Sequence, residues 1–469
     1  MELRDNRIEL KNISSQAPQR KEVFIKKTKE SINRKNAREH LAQFHLGCEL
    51  VKVIRHFFPN LLPMLRQVHD PRHPSYITYD SSVLLMTRIL SSIFYISSMR
   101  KTSIEFNSET VIENIGMLCE TEELSELPYW ETINKYLKKI DPNELQHIVC
   151  ELVRRLLRSR AFEQSKIRGK YWQILVDGTS LGSSRTEWDK RSLYKVHNKG
   201  TTEEYKEYYY YVVEAKLVLQ DNIIVSIMTE FVENEGEEVE KQDCERNACY
   251  RLMERLKKAF PMLPICLCGD SLYACERFFE ECKAKHWHFL LRFKEGSIPS
   301  IDKEYQSLKQ LQNHRYEKEK GSQTGWYDYV TKIEYRNTTL QMAEYKETGK
   351  EQSFYFITDF SIQHKNIEAL IESGRKRWKI ENEGFNTQKK QGYYLEHRYS
   401  KDYQGTKNHY YLIQIGHMIS QIIEVWEKLW KKAKQSREQK HRRLLEAWKT
   451  EKIKDYEEEL DKRIQIRWS

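Results

Sequence analysis

The chain has 469 residues, room for about three domains at roughly 150 residues each. It is 39% apolar and 32% charged with only 17 Gly and 10 Pro, which excludes collagen-like, linker-like and broadly disordered chains. The net charge of +10 is concentrated at the ends: residues 1–40 carry +5 and residues 428–443 carry +7, leaving −2 for the remainder. This pattern suits a polyanion partner or two solvated helix faces.

Residues 1–40 read as a basic N-terminal arm. From 41 to 165 apolar residues recur at three and four, as in Leu145, Ile148, Leu152 and Leu156, and this spacing predicts a helical domain. Asp141-Pro142 marks a helix start. The longest apolar run, Ser81 to Met99, is interrupted by Arg88 and fits a buried helix better than a membrane span. Nine cysteines without framework spacing, and a charged first 30 residues, predict a soluble, cytoplasmic protein in a reducing compartment.

The pattern changes near Lys170. Short runs rich in Val, Ile and Tyr predict strands at 171–176, 208–219 and 222–232, the last two forming a hairpin. A helix over 240–259, a strand over 264–268, a helix over 272–285 and a strand over 287–293 follow. This order gives a mixed sheet covered by helices. Residues 295–351 interrupt it and read as a small β-rich insertion, with strands at 326–333 and 338–345 around Arg336-Asn337. A strand at 353–358 and helices at 367–388 and 410–430 complete a second part of the core (352–425, after a first part at 166–294). Residues 426–469 read as a basic helical C-terminal tail with no long apolar stripe.

Two acids share one setting. Asp177 follows Ile174-Leu175-Val176, and Asp270 follows Ile265-Cys266-Leu267-Cys268-Gly269. Each ends a short buried strand, where α/β sheets place ligands. Such a pair suits a hard divalent cation, and the same aspartates would equally serve as caps for the turns that follow. A third acid, Glu381, lies four residues after Arg377 in a segment that also holds Trp378, Ile380 and Phe385. That spacing puts Arg377 and Glu381 on one helix face, as a site or as an ordinary ion pair. Three carboxylates holding two metal ions are what phosphodiester cleavage without a protein nucleophile requires.

These elements, with RWKIENEGFNTQK at 377–389, GYYLEH at 392–397, Val176-Asp177-Gly178-Thr179, Cys268-Gly269-Asp270-Ser271-Leu272-Tyr273 and the stretch from Asp70 to Tyr79, resemble a DDE transposase of the IS4-like insertion-sequence group over roughly residues 65–425. The resemblance implies an RNase H-like α/β core, a mixed sheet with flanking helices. Asp177, Asp270 and Glu381 would be its catalytic, metal-binding triad, using two Mg²⁺ ions for which Mn²⁺ would substitute. It implies hydrolysis at transposon ends and transfer of a 3′ hydroxyl into target DNA. The partners would be double-stranded DNA (terminal inverted repeats and target) and a second copy of the chain. The helical domain at 41–165 would bind the ends.

The group carries Tyr-x2-Arg-x3-Glu-x6-Lys around the third acid. Arg377 and Glu381 fit, while Gly374 and Gln388 occupy the Tyr and Lys positions. DNA contacts are therefore expected from Arg377, Lys389 and Lys390, with Trp326 of the insertion as the aromatic that would stack on a base. A sequence-independent nuclease of the same fold, and a DNA-binding protein that has lost catalysis, are the alternatives. The acidic stretch from Glu230 to Glu245 reads as a solvated loop and a helix start with favourable N-terminal acids rather than as a metal site. Cys266, Cys268, Cys275 and Cys282 lack zinc spacing, and His286 and His288 read as structural.

Overall fold

The structure, a computed structural model, describes residues 44–121, 124–220, 222–234, 242–320, 323–425, 427–430 and 435–462. The basic arm and the acidic loop at 235–241 lie outside the described residues. The chain divides into two compact units, residues 1–44 with 428–434 and residues 45–427 with 435–469. In the first, the described residues are Phe44 and 428–430. Everything below concerns the second.

Among the described residues seven α-helices precede the first strand: α1 (Leu46–Phe57), α2 (Leu61–Gln67), α3 (Ser81–Ile93), α4 (Met99–Glu105), α5 (Glu109–Leu118), α6 (Trp130–Leu137) and α7 (Pro142–Arg158). Side chains cap their starts where the sequence offers acceptors. Asp80 accepts from the Ser82 N–H at the start of α3, and Asp141 from the Asn143 N–H at α7, with Pro142 in the first turn, satisfying donors a helix start leaves open. Every residue of α3 is buried, Arg88 included. Among the described residues no helix is long and apolar enough to cross a membrane.

The strands are β1 (Trp172–Ser184), β2 (Leu193–His197), β3 (Tyr205–Gln220), β4 (Ile223–Val232), β5 (Ile265–Gly269), β6 (His288–Phe293), β7 (Tyr316–Lys320), β8 (Gln323–Tyr335), β9 (Thr338–Glu347) and β10 (Ser353–Thr358). The remaining helices are α8 (Glu245–Ala259), α9 (Glu276–Ala284), α10 (Pro299–Gln312), α11 (Ile367–Arg375), a π-helical turn (Ile380–Asn386), α12 (Thr387–Lys390), α13 (Tyr403–Glu424), α14 (Glu427–Trp430), α15 (Arg437–Thr450) and α16 (Glu457–Leu460).

All ten strands join one sheet, in the order β2-β3-β1-β5-β6-β10-β9-β8-β7, with β4 paired to β3. β1 is antiparallel to β3 and parallel to β5, and β5 is parallel to β6. Leu175, Cys268 and Phe356 pack from the sheet against Ile371, Ile380 and Phe385 in one buried cluster. Helix α3 packs on α13, and α7 packs on β4 and α13. The N-terminal helices thus belong to the same compact unit as the sheet.

Two expectations need correction. The strand expected at 171–176 does not stop before Asp177: antiparallel pairing with β3 carries β1 on to Ser184, so Asp177 lies within the strand. The β-rich segment at 295–351 extends the main sheet, since β10 pairs with β6 on one side and β9 on the other. It also contains α10, whose buried residues are only Ile301 and Tyr305. In the C-terminal tail, α15 does carry a buried face, made by His441, Leu444, Ala447 and Trp448. Its charges conceal this stripe, since Arg437 and His441 both pair with Glu424.

Candidate active site

The parallel pairing of β1 and β5 sets the first two acids side by side. Leu175 is in register with Cys268, and Asp177 and Asp270 each lie two residues further on. Asp270 caps the turn Ser271–Tyr273, its Oδ1 accepting from the Leu272 N–H at 2.8 Å. Asp177 Oδ1 accepts from the Gly178 N–H at 2.9 Å. Its Oδ2 lies 3.5 Å from Arg377 Nη1, with the two side chains 20% and 14% exposed. Burial raises the Asp177 carboxyl to about 7, and the charges of Glu245 and Asp270 push the same way while Arg377 and the Gly178 N–H oppose them.

Arg377 lies just before the π-helical turn that carries Glu381. That turn packs on β1 and β4 through Ile380, Gly384 and Phe385, which are buried. Inserted π turns in helices recur at functional sites. Glu381 itself is exposed.

The sequence reading missed Glu245, hidden among the neighbouring acids. As the first residue of α8, it accepts from the Tyr211 hydroxyl at Oε2 and from the Tyr273 hydroxyl at Oε1, both at 2.7 Å. Burial, with the Glu245 charge, pushes both phenols well up and keeps them as donors. A Cβ at position 178 would collide with the Tyr211 hydroxyl and lie 2.6 Å from Glu245 Oε2. The Asp177-Gly178 step therefore needs glycine.

The remaining candidates are dispersed. Lys389 pairs with Glu396 at 3.0 Å, and Lys390 is exposed. Trp326 sits on β8 between Glu317 and Lys346, with the Arg315 guanidinium 4.3 Å from its ring centroid. Trp326, Arg315 and Lys346 line a cleft of about 520 Å³ together with Arg292 and Lys294. Gln388, at the signature's Lys position, is fully buried and donates to Gln414 Oε1 and His417 Nδ1 at 2.7 and 2.8 Å. Gln414 Oε1 also accepts from the buried Lys216 ammonium at 2.9 Å. Gly374, at the Tyr position, lies so close to β10 that a Cβ would stand 2.5 Å from the Phe356 ring.

The donor set fits a hard divalent cation. Asp177 and Asp270 offer oxygens just past the paired stretch of β1 and β5, and burial, which opposes ionisation of Asp177, leaves it a carboxyl that a cation would favour as the anion. Among the described residues no group of three His, Cys, Asp or Glu side chains is already gathered as a metal cage.

Residues 232–419 match the family described as the transposase DDE domain. The match includes Asp270, Glu381 and Glu245 and begins after Asp177. No curated protein matches the chain. Among solved structures, the piggyBac transposase in a synaptic complex with hairpin DNA is similar at a TM-score of 0.38 and 11% identity, over 87% of this chain and 81% of that one, a likeness that places no residue. Residues 232–419 are thus similar to a transposase DDE domain, a family whose chemistry depends on a divalent metal.

Proposed function

We propose that the chain cuts DNA at transposon ends and joins the freed 3′ hydroxyl to target DNA, with Asp177, Asp270 and Glu381 as the acids that hold two Mg²⁺ ions, or Mn²⁺ in their place. One observation carries the reading: Asp177 and Asp270 each lie two residues past the last register pair of the parallel strands β1 and β5, with Arg377 against Asp177 and Glu381 four residues beyond it. The strand order β4-β3-β1-β5-β6, three antiparallel strands followed by two parallel ones, supports an RNase H-like core. The motif at 377–389 supports the IS4-like group.

When bound, such ions supply an activated water or 3′ hydroxyl and stabilise the leaving oxygen. The chain's own residues do the rest. Arg377 neutralises Asp177 in the free protein and offers a fork for a phosphate when DNA arrives. Lys389 and Lys390 contact the backbone, and Trp326 stacks on a displaced base once Arg315 leaves its face. Residues 41–165 bind the terminal repeats, two copies act on paired ends, and the protein works in the cytoplasm.

The test is cleavage of labelled DNA that carries the element's terminal repeat, beside a scrambled duplex, with Mg²⁺ or with chelator. Cutting confined to the repeat and to Mg²⁺ is the expected result. Equal cutting of both duplexes would identify a sequence-independent nuclease instead.

A further inference from the structure

Glu245 joins three parts of the sheet that the acid pair depends on. Its Oε2 accepts from Tyr211 on β3, whose register partner on β1 is Ser180, three residues after Asp177. Its Oε1 accepts from Tyr273, three residues after Asp270 in the turn that Asp270 caps. The carboxylate also lies against Gly178, where a side chain would displace it. One side chain from α8 therefore touches or bonds the segment following each aspartate. The register pairs between β1 and β5 end at Leu175 and Cys268, two residues before the aspartates.

We propose that Glu245 is a positioning residue of the catalytic site, a carboxylate bridge between Tyr211 and Tyr273 that keeps the middle of β1 and the turn after β5 aligned for Asp177 and Asp270. The inference rests on the reading of those aspartates as metal ligands. Groups that orient a ligand from behind affect metal affinity and activity by roughly 10–100-fold. Tyr211→Phe and Tyr273→Phe remove only hydroxyls and keep the rings packed. Glu245→Gln keeps an oxygen acceptor and an amide that can bond the second phenol, whereas Glu245→Ala removes the bridge.

The experiment titrates Mn²⁺ into the full-length protein by calorimetry and measures single-turnover nicking of a terminal-repeat duplex. For the Tyr211→Phe/Tyr273→Phe double variant and for Glu245→Ala, Mn²⁺ binding should weaken about tenfold or more, and the nicking rate should fall with DNA affinity unchanged. Glu245→Gln should recover most of both. A double Phe variant that binds Mn²⁺ as the wild type does would overturn the proposal, as would a Glu245→Gln variant as impaired as Glu245→Ala. Asp177→Asn separates the two levels. If it alone weakens Mn²⁺ binding, the metal site stands and the bridge falls. If Asp177→Asn binds Mn²⁺ normally, the site itself is misassigned and the bridge falls with it.

Discussion

Arg377 Nη1 lies 3.5 Å from Asp177 Oδ2, and both side chains are largely buried. The residue that precedes the third acid is thus tied to the first across 200 positions of sequence. The pair couples the segment leading into the π-helical turn to the middle of β1, and it supplies positive charge to a cluster otherwise made of carboxylates.

Removing that charge should cost stability. Arg377→Met leaves Asp177 without its cation in a site where burial already opposes ionisation. Chelator-treated protein should lose about 1–3 kcal/mol at pH 8, limited by proton uptake at Asp177. Urea denaturation of the two proteins in chelator checks this.

Asp177→Asn should act in the opposite sense. The folded carboxyl lies at about 7 against an ordinary 3.8. Below about pH 4 both folded and unfolded carboxyls are protonated, and the residue costs nothing. As pH rises toward 7 the unfolded chain releases its proton and the folded chain retains it, so stability falls, and above about 7 the loss is complete. In chelator the Asn variant should therefore be more stable than wild type at pH 8, by at most about 4 kcal/mol, and equal to it near pH 4. Denaturation curves across that range test the sign.

Gly374 is set by packing. A Tyr at this position, as the signature would have it, must enter the space of the Phe356 ring. Even Gly374→Ala should destabilise by about 1–3 kcal/mol through overpacking of α11 on β10, and Gly374→Tyr by more. Thermal melts read both, and restoring the tyrosine should not improve DNA cleavage.

The two ends of the QKK run at 388–390 should separate cleanly. Gln388→Lys would put a second ammonium into the buried network that already holds Lys216, and should destabilise the fold by several kcal/mol. Lys390 is exposed, so Lys390→Gln should leave stability within about 0.5 kcal/mol. It should weaken DNA binding and reduce the salt slope by about one. Melts and salt-dependent binding isotherms distinguish the two.

What the sequence reveals follows from the physics of each element. The apolar runs of β1 and β5 are legible as strands, but the second half of β1, Gly-Thr-Ser-Leu-Gly-Ser-Ser after Asp177, is held by pairing with β3 and carries little apolar signal. β7 reads Tyr-Glu-Lys-Glu-Lys, and β2 is only five residues with polar positions, so neither carries an apolar signal. The extension of the sheet rests on β10 pairing with both β6 and β9, a long-range fact that no local pattern holds. Glu245 looks like one more acid in a charged stretch until Tyr211 and Tyr273, 34 and 28 positions away, close on it. Arg437 counted toward a basic tail, yet it donates to Thr387 Oγ1 and Gln391 Oε1 at 2.8 Å and pairs with Glu424. Net charge does not reveal such internal partners.

The most direct test of the account is single-turnover cleavage of a terminal-repeat duplex in Mg²⁺ by wild type, Asp177→Asn, Asp270→Asn and Glu381→Gln, with DNA binding measured in parallel. The account predicts that each variant still binds the duplex and cuts it at least about a thousandfold more slowly, as expected when one member of a charge-stabilising set is removed. A Glu381→Gln or Asp177→Asn enzyme that cuts at the wild-type rate would contradict it.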